Sequence, residues 1–200
     1  FREVDLKNYP SQSATEMRED EKKELREGIL KDLKNNGKFY AFTKEDINKA
    51  INELGDFKNE LEKLNDVLLP YDLGFGYRVI AEIALFVKIA KQQNDLLPNL
   101  EENTAQDLAV LMKVLPKFHG PRAKLEMPLI EVLKWCANET INESEPEKVL
   151  RKLFNDKWNN LREVLKEWEN YKNEFKYPLT AKKVMEMLAR LYEIGFTSFM

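Results

Sequence analysis

Apolar residues recur at intervals of three and four along most of this 200-residue chain, and that interval is the period of an α-helix. The clearest run consists of Ile47, Ile51, Leu54, Phe57, Leu61, Leu64 and Leu68. Gly55 lies inside this run and is predicted to split it. Hydrophobic residues make up 43% of the chain, which is enough to build a core. The pattern predicts an all-α, multi-helix bundle with short extended segments at the N- and C-termini.

Capping residues predict where individual helices begin and end. Thr43, Thr104 and Thr180 suit helix N-termini, whereas Gly37 and Gly195 suit the positions that follow a helix C-terminus. We therefore expect one helix to end near Gly37 and the last helix to run from Thr180 to Gly195.

Prolines constrain the middle of the chain. A helix is predicted from about Lys124 through Trp135, with Pro128 either in its first turn or at a kink. Ser144 and Pro146 mark the next helix start. Apolar residues then continue at helical spacing as far as Phe175, and this spacing predicts one long helix.

The two ends of the chain and one polar segment indicate how the chain is organised. The opening FREVDL alternates apolar and polar residues and predicts a strand, but no partner strand follows within thirty residues. Because an initiator methionine is also missing, we expect a piece of a longer protein. The closing FTSFM is predicted to be extended. The polar segment ANETINESEPE suggests a boundary between residues 1–143 and residues 144–200.

Charge and cysteine content exclude several classes of protein. The 32 basic and 35 acidic residues give a net charge of −3, so no overall attraction to nucleic acid or to anionic membranes is expected. One cysteine, Cys136, and one histidine, His119, cannot form a disulfide framework or a Cys/His zinc site. No apolar run is long enough for a membrane span. These features favour a cytoplasmic protein.

Enzyme signatures are also missing. The chain has no P-loop, no G-x-G-x-x-G, no H-E-x-x-H and no G-x-S-x-G motif. His119 has no evident partner to orient it as a general base, so a structural role is favoured. The three tryptophans, Trp135, Trp158 and Trp168, fall on inward helical positions and are expected in the core. A small-molecule enzyme built inside the bundle is therefore the weakest hypothesis.

A basic patch is the first local feature that suggests binding. No Asp or Glu occurs between Leu108 and Leu125, and this stretch contains Lys113, Lys117, His119, Arg122 and Lys124. These residues could contact a phosphate or an acidic partner. They could equally be a solvated turn whose cations complement a helix dipole. The sequence leaves both interpretations open.

The stretch LGFGYRVIAEIALFV is the second local feature. Gly74 and Gly76 let the backbone approach another group closely, and Arg78 follows in the first turn of a predicted helix. An arginine there opposes the helix dipole unless negative charge is nearby. A phosphate is one such charge. A salt bridge to Asp72 or Glu82 is another, and the residues alone favour the salt bridge.

Several segments resemble a known family. FREVDL resembles the strand that closes the nucleotide-binding core of AAA+ ATPases, in the branch of McrB-like motor proteins of modification-dependent restriction systems. LPYDLGFGYRVIAEIALFV is similar to the helix of their lid that bears the sensor 2 arginine. KVLPKFHGPRAKLEMPLIEVL contains an element similar to their LPKxHG-x-R, the most distinctive match. The closing YPLTAKKVMEMLARLYEIGFTSFM is also similar to the end of such proteins.

The resemblance implies a fold and a site. Residues 1–143 would form an AAA+ lid-like bundle with a strand from the nucleotide-binding core, hinged near residues 5–10. Residues 144–200 would be a helical extension packed on the bundle. Arg78 would be the sensor 2 residue that reaches the terminal phosphate, with Gly76 and Tyr77 beside it in the nucleotide-binding site.

The resemblance also implies cofactors and partners. The parent protein would hydrolyse GTP or ATP with Mg and would form a ring, which the resemblance implies is a hexamer. Its partners would be the AAA+ core of the same polypeptide, an McrC-like endonuclease subunit and, indirectly, DNA. The P-loop, the magnesium-binding strand and sensor 1 lie outside these residues, so this chain alone is expected to bind no cofactor and to be inactive. The alternative hypothesis is a stand-alone helical module that binds an acidic partner or nucleic acid through the basic patch at 113–124.

Overall fold

The computed structural model describes residues 20, 22–24, 26–27, 42–92 and 102–200. Contacts between Cα atoms divide the chain into two compact units, Phe1–Thr43 and Lys44–Met200. In the first unit, the described residues 20, 22–24 and 26–27 are helical. The predictions of an N-terminal strand in FREVDL and of a helix end at Gly37 lie outside the described residues.

The described part of the second unit is mostly helical, and the all-α prediction is confirmed. In its first half, α1 spans Lys44–Glu53, α2 spans Asp56–Leu68, α3 spans Tyr77–Gln92 and α4 spans Glu102–Lys113. In its second half, α5 spans Arg122–Cys136, α6 spans Pro146–Phe154, α7 spans Leu161–Lys166 and α8 spans Pro178–Ile194.

Helix α8 lies at the centre of the packing and contacts α4, α5 and α7. Helices α3 and α4 pack together, and α1 lies against α3. The buried residues form one apolar cluster, to which helices on both sides of position 143 contribute. The proposed boundary between residues 1–143 and 144–200 stays a prediction. No helix in the described residues has the length and apolar character needed to cross a membrane.

Glycines end helices where the sequence indicated. Gly55 separates α1 from α2 with a φ of 57°, a left-handed conformation that glycine adopts without a steric penalty. Gly195 has a φ of 76° and donates its backbone N–H to the Leu191 carbonyl oxygen, which closes α8. Both predictions are confirmed.

The prediction of one long helix from Pro146 to Phe175 is wrong. Helix α6 ends at Phe154 because Asn155 has a φ of 47°, outside the helical region. Short 3-10 turns then alternate with α7 as far as Glu174. The apolar spacing correctly marked buried residues, since Val149, Leu161 and Trp168 are all buried. These residues lie on several short helical segments and not on one helix.

Two short strands join the middle of the chain to its C-terminus. Strand β1, His119–Pro121, pairs antiparallel with β2, Phe196–Ser198, and Gly120 lies opposite Thr197. The predicted extended C-terminus is therefore confirmed. Its partner strand was not predicted, because three residues rich in glycine and proline carry no strand signal.

A carboxylate from another helix caps the N-terminus of helix α8. Asp107 of α4 is almost fully buried, and its Oδ2 and Oδ1 accept the backbone N–H groups of Leu179 at 2.7 Å and Thr180 at 2.8 Å. The Thr180 hydroxyl donates to the Asp107 carbonyl oxygen at 3.1 Å. The prediction that Thr180 caps the helix is wrong, since α8 begins at Pro178 and Asp107 satisfies its free N–H groups.

Two other helices begin earlier than the sequence suggested. Helix α4 begins at Glu102, so Thr104 lies inside it. Helix α5 begins at Arg122, which places Pro128 in its second turn rather than its first. Both differences are two residues, within the range over which helix ends are hard to define.

Candidate functional site

The residues that immediately precede α3 are held in place by hydrogen bonds and by burial. The Asn65 side chain accepts the backbone N–H of Phe75 at 2.6 Å, and Phe75 is buried. The Gly76 carbonyl oxygen accepts the backbone N–H of Val79 at 3.0 Å and so forms part of the first turn. The start of α3 is therefore held by the α2 segment behind it.

The first two residues of α3 project outward. Tyr77 is 88% exposed, and the Arg78 side chain is 90% exposed. Large aromatic side chains are usually at least partly covered in folded proteins. Both side chains are therefore accessible at the start of α3.

A salt bridge does form at Arg78, as the residues alone favoured. Glu82, one turn further along α3, accepts the Arg78 Nε–H at 3.0 Å with its Oε1. Its Oε2 accepts from the Lys113 ammonium group on α4 at 2.9 Å. One carboxylate thus lies between two cations from two helices. These hydrogen bonds lower the pKa of Glu82, and Lys113 contributes more than Arg78.

The structure brings the two sequence features together. Lys113 contacts Glu82, and Lys117 donates to the Gly74 carbonyl oxygen at 3.0 Å. Two residues of the basic patch therefore lie against the glycine-containing stretch. We call this combined region the Arg78 surface; it comprises Gly74, Gly76, Tyr77, Arg78, Glu82, Lys113 and Lys117. Sequence spacing could not indicate this proximity, because it depends on how α3 packs on α4.

The two glycines of this surface differ in their surroundings. Neither has a left-handed φ, so neither is needed for a special turn. A side-chain carbon at Gly74 would lie 2.6 Å from Leu69 Cδ2 and 3.3 Å from Asn65 Oδ1, so packing within the chain favours glycine there. At Gly76, no atom of the described residues lies within 4 Å of that position. Gly76 is therefore open to approach from outside.

The remaining members of the basic patch, Arg122, His119 and Lys124, are not part of the Arg78 surface. Arg122 forms two hydrogen bonds with Glu126, at 3.1 and 2.8 Å, and its guanidinium lies 4.6 Å from the centre of the Tyr192 ring. His119 is exposed in β1, with its ring 6.4 Å from that of Phe196. Lys124 is exposed at the start of α5.

Carboxylates from outside the acid-free stretch neutralise part of the patch. Glu82 pairs with Lys113 and Glu126 pairs with Arg122. Sequence reasoning noted Glu82 only as a partner for Arg78 and did not connect Glu126 with Arg122. The spacing of four between Arg122 and Glu126 is a signal that could have revealed the second pair.

The other groups considered for chemistry have structural surroundings. Cys136 is fully buried, and burial raises the pKa of its thiol. Trp168 is buried, whereas Trp135 and Trp158 are half-buried against the core. The expectation of tryptophans in the core is therefore confirmed only for Trp168. Within the described residues, no three His, Cys, Asp or Glu side chains are grouped in a way that could hold a metal ion.

A cleft of about 410 Å³ lies beside α2 and α5. The Trp135 ring there is stacked on Tyr177 with centroids 4.4 Å apart, and its Nε1–H donates to the Glu60 carbonyl oxygen at 3.0 Å. The Glu60 carboxylate binds the Tyr177 hydroxyl and the Lys176 ammonium group. These polar groups form hydrogen bonds with one another. Their role is therefore structural: they connect α2, α5 and the start of α8.

Comparison with known proteins identifies a family. A family model described as "Domain of unknown function (DUF8727)" matches residues 24–196. Neither the curated proteins nor the solved structures contain a match. The matched range includes the whole Arg78 surface and extends into β2. Because it covers well over half of the chain, this protein belongs to the DUF8727 family.

Proposed function

We propose that this chain is the C-terminal lid and adjoining helical part of a McrB-like AAA+ motor, in which Arg78 senses the terminal phosphate of a bound nucleotide. The observation that carries the proposal is the exposed Arg78 guanidinium at the start of α3. Its Nε is bound to Glu82, and its terminal nitrogens make no hydrogen bond to any described residue. As far as the described residues are concerned, these N–H groups remain available to donate to an anionic ligand.

Electrostatics make a phosphate a suitable ligand. Helix N-termini carry partial positive charge, so an arginine in the first turn is unfavourable until an anion is nearby. Glu82 supplies one negative charge against the two positive charges of Arg78 and Lys113, and one positive charge remains. The planar guanidinium fork matches two phosphate oxygens. The nucleotide, GTP or ATP with Mg, would supply that anion when bound by the core of the parent polypeptide.

The neighbouring residues fit the same role. Gly76 leaves room for a close approach of ligand or core backbone, and Tyr77 offers an exposed aromatic face. A lid that contacts the terminal phosphate binds the triphosphate state better than the diphosphate state, so hydrolysis shifts the lid between two positions. The parent would act in the cytoplasm as a ring, as a hexamer by resemblance, with an McrC-like endonuclease and, indirectly, DNA.

The alternative of a stand-alone module with a basic binding patch has weaker support. Lys113 and Arg122 are paired with carboxylates, and Lys117 is bound to the Gly74 carbonyl oxygen. Of the five patch residues, only His119 and Lys124 have no polar side-chain partner among the described residues. One unpaired lysine beside a histidine gives little attraction to nucleic acid. We therefore retain the motor proposal.

The reading frame upstream of Phe1 gives a first test. The proposal requires a P-loop in the same polypeptide, followed by an acidic magnesium-binding strand. A complete upstream frame without a P-loop would remove the proposed function.

Hydrolysis of ATP and of GTP by the full-length polypeptide gives the second test. Arg78→Ala is expected to lower kcat with unchanged folding. Arg151→Ala is the matched control, because it removes another exposed arginine that pairs with a glutamate four residues away, Glu147, outside the Arg78 surface and the basic patch. Full activity of Arg78→Ala would contradict the proposed function, and an equal loss in Arg151→Ala would show that the effect is not specific to Arg78.

A further inference from the structure

Glu82 holds the Arg78 side chain in a particular way. Its Oε1 accepts from Nε, the nitrogen nearest the aliphatic part of the arginine, at 3.0 Å. A contact with a terminal nitrogen would instead occupy the part of the group that matches phosphate. The observed contact leaves both terminal nitrogens without a hydrogen bond to a described residue, on a side chain that is 90% exposed.

An exposed pair of this kind within one helix is ordinarily weak, because both side chains lose freedom when they pair. Here the carboxylate is also bound by a second helix. Lys113 donates to Oε2 at 2.9 Å, and the Glu82 and Lys113 side chains are only 36% and 34% exposed. Lys113 of α4 thus holds the Glu82 carboxylate in place, and this carboxylate in turn orients Arg78.

We infer that Glu82, fixed by Lys113, is a positioning residue that presents the Arg78 fork to the terminal phosphate. This inference rests on the proposed function. The low pKa of Glu82 is consistent with a carboxylate that stays ionised at neutral pH. Glu82 itself touches no phosphate and acts only through Arg78.

Two effects of Glu82 have opposite consequences, and this makes the inference testable. As a charge, Glu82 repels an anion, so its removal should tighten nucleotide binding and lower KM. As an orienting group, it restricts Arg78 to a useful geometry, so its removal should lower kcat. A purely structural ion pair would leave kcat unchanged.

Glu82→Gln in the full-length polypeptide decides between these roles, with ATP and GTP as substrates. We expect kcat to fall about tenfold because Arg78 loses its orientation, while KM stays the same or falls. In an Arg78→Ala background, Glu82→Gln should have no further effect on kcat, since Glu82 acts through Arg78. An unchanged kcat in the single variant, or an equal fall in both backgrounds, would overturn the inference.

Glu53→Gln is the matched control. It removes another glutamate that pairs with a lysine of a neighbouring helix, Lys88 of α3, at 3.1 Å. This pair does not involve Arg78, so kcat should stay at the wild-type value. A tenfold fall in this control would show that any weakened contact to α3 reduces activity, and would overturn the specific role of Glu82.

Lys113→Met provides a second variant if Glu82→Gln fails to fold. It leaves Glu82 attached to Arg78 but removes the contact that fixes it to α4. We expect a fall in kcat in the same direction, and an unchanged kcat would overturn the inference. If Arg78→Ala itself retains full activity, the proposed function fails instead, so the two failures are distinguishable.

Discussion

The carboxylate of Asp107 connects α4 to α8, and its removal should destabilise the fold measurably. The perturbation is Asp107→Ala. The Thr180 N–H is buried and would lose its acceptor among the described residues, Asp107 Oδ1, which lies 2.8 Å away. The Leu179 N–H, whose nitrogen lies 2.7 Å from Oδ2, is only partly buried and could donate to water instead. Asp107 is therefore the main acceptor at the start of the most central helix.

The magnitude follows from these two contacts. A buried N–H without an acceptor costs about 1–3 kcal/mol, and loss of an Asp cap costs about 0.5–2 kcal/mol. Relief of the buried charge offsets part of this cost, because burial disfavours the Asp107 carboxylate. We expect the free energy of unfolding to fall by about 2 kcal/mol.

Urea denaturation of the 200-residue chain, followed by far-ultraviolet circular dichroism, measures this change. Asp66→Ala is the control, because Asp66 is an exposed residue of α2 and should change stability by less than about 0.5 kcal/mol. An Asp107→Ala variant that unfolds at the same urea concentration as Asp66→Ala would refute the reasoning.

The remaining predictions concern pH and backbone conformation. Burial raises the pKa of Asp107 above its ordinary value of 3.8, so its stabilising contribution is full below that pH and declines as pH rises through the folded-state pKa. Unfolding of the wild type between pH 4 and pH 7 should show this decline, and Asp107→Asn should lack it; identical slopes would contradict the assignment. Gly76→Ser should change stability by less than about 0.5 kcal/mol because its surroundings are open, whereas Gly74→Ala should cost about 1 kcal/mol because of Leu69. Equal melting temperatures for the two variants would contradict this difference. Asn155→Gly should raise stability by about 1 kcal/mol because glycine relieves the positive φ, and a lower melting temperature would argue against strain at this position.

Local signals in the sequence predicted the parts of the fold that depend on local physics. Helical spacing located α2 and its buried face, and glycine conformation located the breaks at Gly55 and Gly195. These features need no knowledge of distant residues. The extended C-terminus was predicted for the same reason.

Features that depend on distant residues could not be predicted in this way. The Asp107 contact with α8 joins residues more than seventy positions apart, and β2 pairs with a strand that has no strand-like composition. The break at Asn155 interrupts a run whose apolar spacing fits one helix equally well. The first two features depend on tertiary contacts, which local sequence patterns do not reveal.

The candidate site was predicted in part. The sequence identified Arg78 and its partner Glu82, because both lie on one helix at a spacing of four. It also identified Lys113 and Lys117, but as part of a separate patch. Only the packing of α3 against α4 brings Lys113 to Glu82 and Lys117 to Gly74.

The central claim, that Arg78 senses a terminal phosphate, is tested most directly by nucleotide affinity in the full-length polypeptide. The measurement compares Kd for a non-hydrolysable triphosphate and for the corresponding diphosphate, in the wild type and in Arg78→Ala. Loss of a charge-assisted hydrogen bond should weaken triphosphate binding by roughly tenfold or more, with diphosphate affinity unchanged. An equal effect on both nucleotides, or no effect on either, would contradict the claim.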